Sequence, residues 1–394
     1  MKTVLIIEGQ IKEYRRPFYE RLRSDLARSR IDLKVAYSDP APEELQKGDN
    51  CDLSSDYGIK VKAYRMAGGR LLFQPLFRSV ASADLVIIDH ANKFILNHLL
   101  LPMSLCRLKK VAFWGLAENL QADRSEISEW YKRRTLLWVD WWFAYTEGTA
   151  AYLRQHGVNP SRITAVQNSI DTRLIRDVVA QMDEDIRVRL RVSLGISASA
   201  RVGIYVGMLE EVKRIPFLLE AAEQIRSVIP DFHLILVGGG SGHAETANSV
   251  KDKAWIHCTG PKLSRQKAEF LAIADCMLMP GRVGLAVLDA FAAALPVLAT
   301  RLAHHGPEIE YLQDGFNGVL TAPDVNSFAS GAVRLFTRRD ELLQLGAGAR
   351  ISASRYSIES MAENFRVGIE RCLNWPPMEA NQAGWRSRLP QSAS

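Results

Sequence analysis

Lys213 and Arg214 stand side by side in Gly207-Met208-Leu209-Glu210-Glu211-Val212-Lys213-Arg214, where a strand gives way to a helix. Lysine brings a point charge and arginine a planar fork, and both suit phosphate. The helix dipole disfavours cations at a helix start, so their placement points to a bound anion. A solvated charge pair is the plainer alternative. Further on, Met279-Pro280-Gly281-Arg282-Val283-Gly284-Leu285 leads from a short buried strand into a helix that is apolar but for Asp289. Glycines at such a turn let the backbone approach a ligand, and a helix N-terminus suits a phosphate. An acid in an apolar helix needs a partner, because burying an unpaired carboxylate is expensive. Together the two stretches suggest a nucleotide diphosphate held at the turn, with Asp289 on a sugar hydroxyl. An ordinary buried helix with a capped start has the same local sequence.

Other residues stand at places where chemistry is done. His90 follows Asp89 at a strand end and could serve as a base or a hydroxyl-binding group, or as a satisfied loop histidine. His304-His305-Gly306-Pro307-Glu308 precedes a short helix, where Glu308 fits a first-turn acid complementing the dipole and His305 or Glu308 could reach a sugar. Val237-Gly238-Gly239-Gly240-Ser241-Gly242 lacks the spacing and the following acid of a dinucleotide fingerprint, and reads as a flexible turn or a close approach to ligand. Asn168 and Asp171 suit Asx-turns in a hinge. Arg15, Arg16, Arg21 and Arg23 cluster with Phe18, Tyr19 and Leu22, as a solvated helix face or a surface for anionic lipid. Trp138, Trp141, Trp142 and Phe143 read as core or as an interfacial patch.

The elements that must position these residues follow an alternating pattern. Strands are expected at 4–7, 32–37, 84–88, 111–114 and 142–145, mostly as unbroken apolar runs that imply parallel strands covered on both faces. Helices are expected at 17–28, 94–108, 126–137 and 148–156. Residues 39–80 are rich in Pro, Gly, Ser and charge and read as an irregular insertion near a domain mouth. After a strand at 163–166 the hinge falls near Asp171, and 172–195 is charged and helical. The pattern then restarts, with strands at 201–207, 232–237, 254–258, 275–279 and 296–300 and helices at 214–228, 264–274, 308–312, 326–336 and 340–352. The fold class is therefore α/β, as two Rossmann-like domains facing a cleft, where ligands of open parallel sheets bind. The expected domains are 1–171, with a helix at about 357–375 packing back on it, and 172–356, followed by a disordered tail at 376–394.

With 394 residues, 47% hydrophobic and 24% charged, the chain is long enough for two cores. No apolar run reaches the ~18 residues of a membrane span. The start is too soon acidic for a signal peptide. Five scattered cysteines suggest core thiols in a reducing compartment, with no metal spacing. A net charge of +6 suits a nucleotide or an anionic membrane surface, and no nucleic-acid motif accompanies it.

Several segments, in order, resemble the nucleotide-sugar glycosyltransferases of family 4, of GT-B fold. They are Ala144-Tyr145-Thr146-Glu147-Gly148 with Asn168-Ser169-Ile170-Asp171, then Val206 to Lys213, Leu236-Val237-Gly238-Gly239-Gly240, Thr259-Gly260-Pro261, the block 280–300, and Pro307-Glu308 with Asp314-Gly315-Phe316-Asn317-Gly318. Tyr14-Arg15-Arg16-Pro17-Phe18-Tyr19 is similar to the opening of polysaccharide- and lipopolysaccharide-synthesis members. The resemblance implies transfer from an NDP-sugar with retention, without metal or cofactor, to a growing, lipid-linked glycan. Lys213 would contact the diphosphate, with Arg214 in place of an arginine that is Met208 here, and His90 in place of a histidine missing from 111–116. Gly207, Gly239, Gly260, Pro261, Gly281, Arg282, Val283, Gly284, Leu285 and Asp289 would line the donor, and Arg15, Asn168, His305 and Glu308 would meet acceptor or sugar. The family's two acids, with seven residues between them, fall at Gly281 and Asp289, so the first is absent and the second shortened, and Asp289 shifts toward the ribose. The expected setting is cytoplasmic, at the inner face of the plasma membrane. Two rivals stay open: a nucleotide-sugar 2-epimerase of the same fold, and a non-catalytic nucleotide-binding member.

Overall fold

A computed structural model of the chain describes residues 1–45, 48–118 and 126–376. Two compact units emerge, Met1–Asn168 with Ile358–Ser394, and Ser169–Ser357. The tail expected beyond 376 lies outside the described residues.

The first unit contains β1 (Lys2–Ile7), β2 (Ile31–Tyr37), β3 (Gly58–Lys60), β4 (Tyr64–Met66), β5 (Leu71–Phe73), β6 (Leu85–Asp89), β7 (Lys110–Gly115), β8 (Trp141–Ala144) and β9 (Ile163–Ala165). Seven of them make one parallel sheet in the order β3-β2-β1-β6-β7-β8-β9, with β4 and β5 a separate antiparallel pair. The apolar runs explain the sheet. Side chains alternate across a strand, so Val4 and Ile6 enter one core while Leu5 and Ile7 enter the other. Trp141 and Trp142 are likewise fully buried on opposite faces, so these aromatics are core and not an interfacial patch.

The closing helix, Ile358–Asn374, packs on the helix Arg16–Arg28 and on β8. Its Phe365 ring stacks on Phe143 with centroids 4.7 Å apart and meets Phe18 at 5.0 Å and Trp114 at 4.9 Å. Lys110 Nζ donates to the last carbonyls, those of Cys372 and Leu373, at 2.9 and 3.0 Å, where a cation also complements the dipole.

The second unit contains β10 (Arg201–Val206), β11 (Phe232–Val237), β12 (Ile256–Gly260), β13 (Cys276–Met279), β14 (Val297–Thr300) and β15 (Gly318–Thr321). All pair in parallel, in the order β12-β11-β10-β13-β14-β15. The order reverses between β10 and β13, and in the first unit between β1 and β6. Ligands of open sheets bind at such switch points, off the carboxyl ends of the strands.

Three expectations need correction. The stretch 39–80 is not wholly irregular, because β3 extends the first sheet and β4 pairs with β5; three-residue strands are too short to show a period. β15 is an additional strand, hidden by its glycine and its single turn of alternation. The helix that carries Asp289 is brief, Ala286–Ala292, and starts after Leu285 rather than at the glycines. Among the described residues no helix is long and apolar enough to cross a membrane.

Phe365→Ala should cost the first unit about 3–5 kcal/mol, as aromatic truncations in cores do. Urea unfolding followed by the fluorescence of Trp114, Trp141 and Trp142 measures it, and a change within error would show the closing helix to be loosely docked.

Candidate functional site

In the second unit the switch point brings two loops together. After β10, Gly207 and Leu209 lie along the segment that follows β11, with the Leu209 N–H donating to the Gly239 carbonyl. A Cβ on Gly238 would stand 1.8 Å from the Gly207 carbonyl oxygen, so that glycine serves the approach of two chain segments and not of a ligand. A short 3₁₀ turn, Glu211–Lys213, then lays its backbone against the loop that leaves β13. The Arg282 N–H donates to the Val212 carbonyl at 2.9 Å, and Lys213 Nζ donates to the Arg282 carbonyl at 2.6 Å. A Cβ on Gly281 would lie 2.4 Å from the Lys213 carbonyl carbon. Gly284, by contrast, faces open space.

Lys213 and Arg282 are thus two cations in one loop junction. Burial, and then the charge of Arg282, push the Lys213 ammonium below its ordinary value, with Glu210 and Glu308 opposing. The Arg282 guanidinium has no ion-pair partner among the described residues. An anion between the two would relieve both the repulsion and the desolvation.

His305 braces this junction. Its Nδ1 accepts from the Val283 N–H at 3.1 Å, and its Nε2 lies 2.9 Å from the Thr300 carbonyl and 3.2 Å from the Leu302 amide nitrogen. Burial, with Lys213 and Arg282 adding to it, lowers its pKa and keeps it neutral. Glu308 is buried in the 3₁₀ turn Pro307–Tyr311 beside Gly306. Thr300 Oγ1 donates to the Pro280 carbonyl at 2.7 Å and ties β14 to the same loop.

Arg214 departs from expectation. It takes a left-handed conformation, φ 56°, before the helix Ile215–Val228. Its guanidinium lies 4.0 Å from the Phe217 ring centre and donates to the Pro323 carbonyl at 3.0 Å. The cation at the helix start thus has stacking and carbonyl partners within its own unit. Gly239, Gly260 and Pro261 gather at the ends of β11 and β12, where the Gly238 N–H donates to the Gly260 carbonyl at 3.0 Å. Asp289 is 4% exposed and has the partner that burial demands, Lys267 Nζ at 2.8 Å from Oδ2. Lys267 carries no sequence signal beyond lying on an amphipathic helix, Ser264–Ala272.

In the first unit, Glu8 follows β1 and Asp89 ends β6, one on each side of the switch point. Tyr19 donates to Glu8 at 2.7 Å, yet burial raises the Glu8 pKa to about 7, with Asp89 adding and Arg15 opposing. Burial also raises the pKa of Asp89. Arg15 is buried with its guanidinium 5.1 Å from the Trp114 ring centre and donates to Asn168 Oδ1 at 2.7 Å. That bond ties the end of the unit to the start of its first helix. His90 is not at an open edge. Its ring packs on Phe113 and Trp142 and its Nε2 meets Thr135 Oγ1 at 3.0 Å. Burial lowers its pKa to about 3, which leaves the ring neutral near pH 7. Around the first helix, Arg16, Arg21 and Arg28 pair with Glu13 and Asp25.

Two parallel α/β units of this kind define the GT-B fold. Among solved structures, that of Anabaena HepE in complex with UDP superposes over 94% of this chain and 100% of its own, with a TM-score of 0.68 at 15% identity. Residues 200–338, all within the second unit, match the family model for glycosyl transferases group 1. Over 210 residues the chain is 30% identical to the N-acetyl-alpha-D-glucosaminyl L-malate synthase of Bacillus anthracis, covering 50% of each. It is also 28% identical to the lipopolysaccharide 1,2-N-acetylglucosaminetransferase of Salmonella typhimurium, over 47% of this chain and 51% of that one. The chain spans about half the length of the curated relatives it matches.

Two outcomes follow. Gly281→Glu, which restores the missing family acid, should lower the thermal midpoint by overpacking worth about 1–3 kcal/mol and should not raise donor affinity; calorimetry and a donor titration check both. His90 binds its proton near pH 3 when folded and near 6.5 when unfolded, so its stabilising contribution is complete above pH 6.5 and is lost as pH falls toward 3. His90→Leu should therefore flatten the pH dependence of the urea midpoint in that window, and an unaltered slope counts against a buried neutral ring.

Proposed function

We propose that the chain is a glycosyltransferase that moves a sugar from an NDP-sugar to a growing, lipid-linked glycan with retention of configuration. The observation that carries this is the Lys213–Arg282 cation pair at the second unit's switch point, inside the stretch that matches the family. The second unit is the nucleotide-sugar side. There Lys213 and Arg282 take the diphosphate, Gly284 leaves room at the loop, and Asp289 takes a ribose hydroxyl. The first unit is the acceptor side, with Glu8 and Asp89 as the groups that accept from acceptor hydroxyls. Two carboxylates there favour a hydroxyl-rich glycan over an anionic acceptor. In a retaining transfer the leaving phosphate can take the acceptor proton, so the protein supplies positioning and charge stabilisation rather than a base. A buried, neutral His90 is compatible with that division of labour. A lipid-linked acceptor would place the work at the inner face of the plasma membrane. The paired arginines of the first helix leave little free charge there for lipid.

A panel of UDP-, GDP- and ADP-sugars, scored for thermal stabilisation, NDP release and epimer formation with acceptor extract present, separates the readings. NDP release that depends on acceptor supports the transferase. Epimer formation assigns the chain to the 2-epimerases, and binding without turnover to the non-catalytic members. Lys213→Ala should weaken donor binding about tenfold to a hundredfold, the range for a hydrogen bond to a charged group. Unchanged affinity by calorimetric titration removes the diphosphate from this junction.

A further inference from the structure

Asp289 is one of the buried carboxylates of the second unit. It is 4% exposed, on a helix whose other residues are apolar. One oxygen, Oδ2, is held by Lys267 at 2.8 Å, while the other, Oδ1, is buried with no hydrogen-bond partner. An ionised carboxylate accepts through both oxygens, and a buried one left half-satisfied carries a desolvation penalty. A polar atom in that condition marks where an outside donor is wanted.

We infer that Lys267 is a positioning residue for nucleotide recognition. By holding Oδ2 it fixes the carboxylate rotamer and leaves Oδ1 to accept from one hydroxyl of a ribose diol. This rests on the nucleotide-sugar reading above and adds to it the residue that makes a shortened acid serviceable. Aspartate has one methylene fewer than glutamate and correspondingly fewer ways to reach. A cation on the neighbouring helix, Ser264–Ala272, replaces that reach with a fixed orientation. A lysine kept only for stability would do nothing selective for a ribose hydroxyl, so the two roles come apart in binding.

The test titrates UDP, GDP and ADP, and then the 2′-deoxy and 3′-deoxy forms of whichever binds, into wild type, Lys267→Met, Lys267→Arg and Asp289→Asn. The quantity read is the ratio of deoxy to parent dissociation constants. Wild type should lose about tenfold on removal of one ribose hydroxyl, the loss expected when a buried polar group goes unpaired. In Lys267→Met and Asp289→Asn the ratio should fall near one, and in Lys267→Arg it should return to within about threefold of wild type, because the charge pair is rebuilt. A wild-type ratio preserved in Lys267→Met overturns the positioning role, and one preserved in Asp289→Asn overturns the hydroxyl contact. If Lys267→Met does not fold, Lys267→Arg decides: a ratio near one in that variant also overturns the proposal. Wild type that binds a nucleoside diphosphate but ignores both ribose hydroxyls overturns this inference alone, whereas no nucleotide binding at all overturns the function proposed above and this inference with it.

Discussion

The close approach of the Lys213 main chain to Gly281 sets the geometry of the second unit's loop junction. With 2.4 Å between a notional Cβ and the Lys213 carbonyl carbon, only glycine fits at 281. That approach lets the Arg282 N–H reach the Val212 carbonyl and the Lys213 ammonium reach the Arg282 carbonyl. Any side chain at 281 would separate the loops and disperse the cations. The missing acid and the paired cations are therefore one constraint seen twice. A carboxylate at 281 would need a junction of different shape, and its charge would also compete for the cations that a diphosphate needs.

The polar groups around that junction are divided between bracing and binding. Arg214 and His305 look equally chemical in sequence, yet both are spent on the loops, one on Phe217 and a carbonyl, the other on Val283 and Thr300. The proposed ligand would be met by Lys213, Arg282 and one oxygen of Asp289. A rigid site with few open polar groups suits a ligand whose own charges are concentrated, as a diphosphate's are, because preorganised donors cost no rearrangement when it arrives.

Much of the fold was legible because parallel strands buried on both faces are unbroken apolar runs, as in 232–237, where every residue is buried. Helix positions followed from apolar spacing and, at 17–28, from Pro17 near the helix start. What stayed hidden lacked a period or lay far apart in sequence. β3, β4 and β5 have three residues each, and β15 opens on a glycine. Lys267 and Asp289 are 22 residues apart on two helices, and only folding shows them as a pair. Glu8 and Asp89 are 81 residues apart and become neighbours through the pairing of β1 with β6. The glycines suggest a close approach to ligand in the sequence, whereas at 238 and 281 the approaching group is the protein's own backbone.

The two units differ in how they treat charge, and that difference bears on mechanism. At the first switch point burial raises the pKa of both Glu8, to about 7, and Asp89, so this end of the sheet holds two desolvated carboxyl groups that gain from a hydroxyl donor. At the second, burial and a neighbouring cation press on Lys213, so this end gains from any anion that enters. For a transfer in which the leaving phosphate takes the acceptor proton, the greatest change in charge falls on the phosphate oxygens. The electrostatic stabilisation is then needed at Lys213 and Arg282, while Glu8 and Asp89 need only orient a neutral hydroxyl. A general base at His90 is unnecessary to that scheme, and its burial against Phe113 and Trp142 costs the proposed reaction nothing.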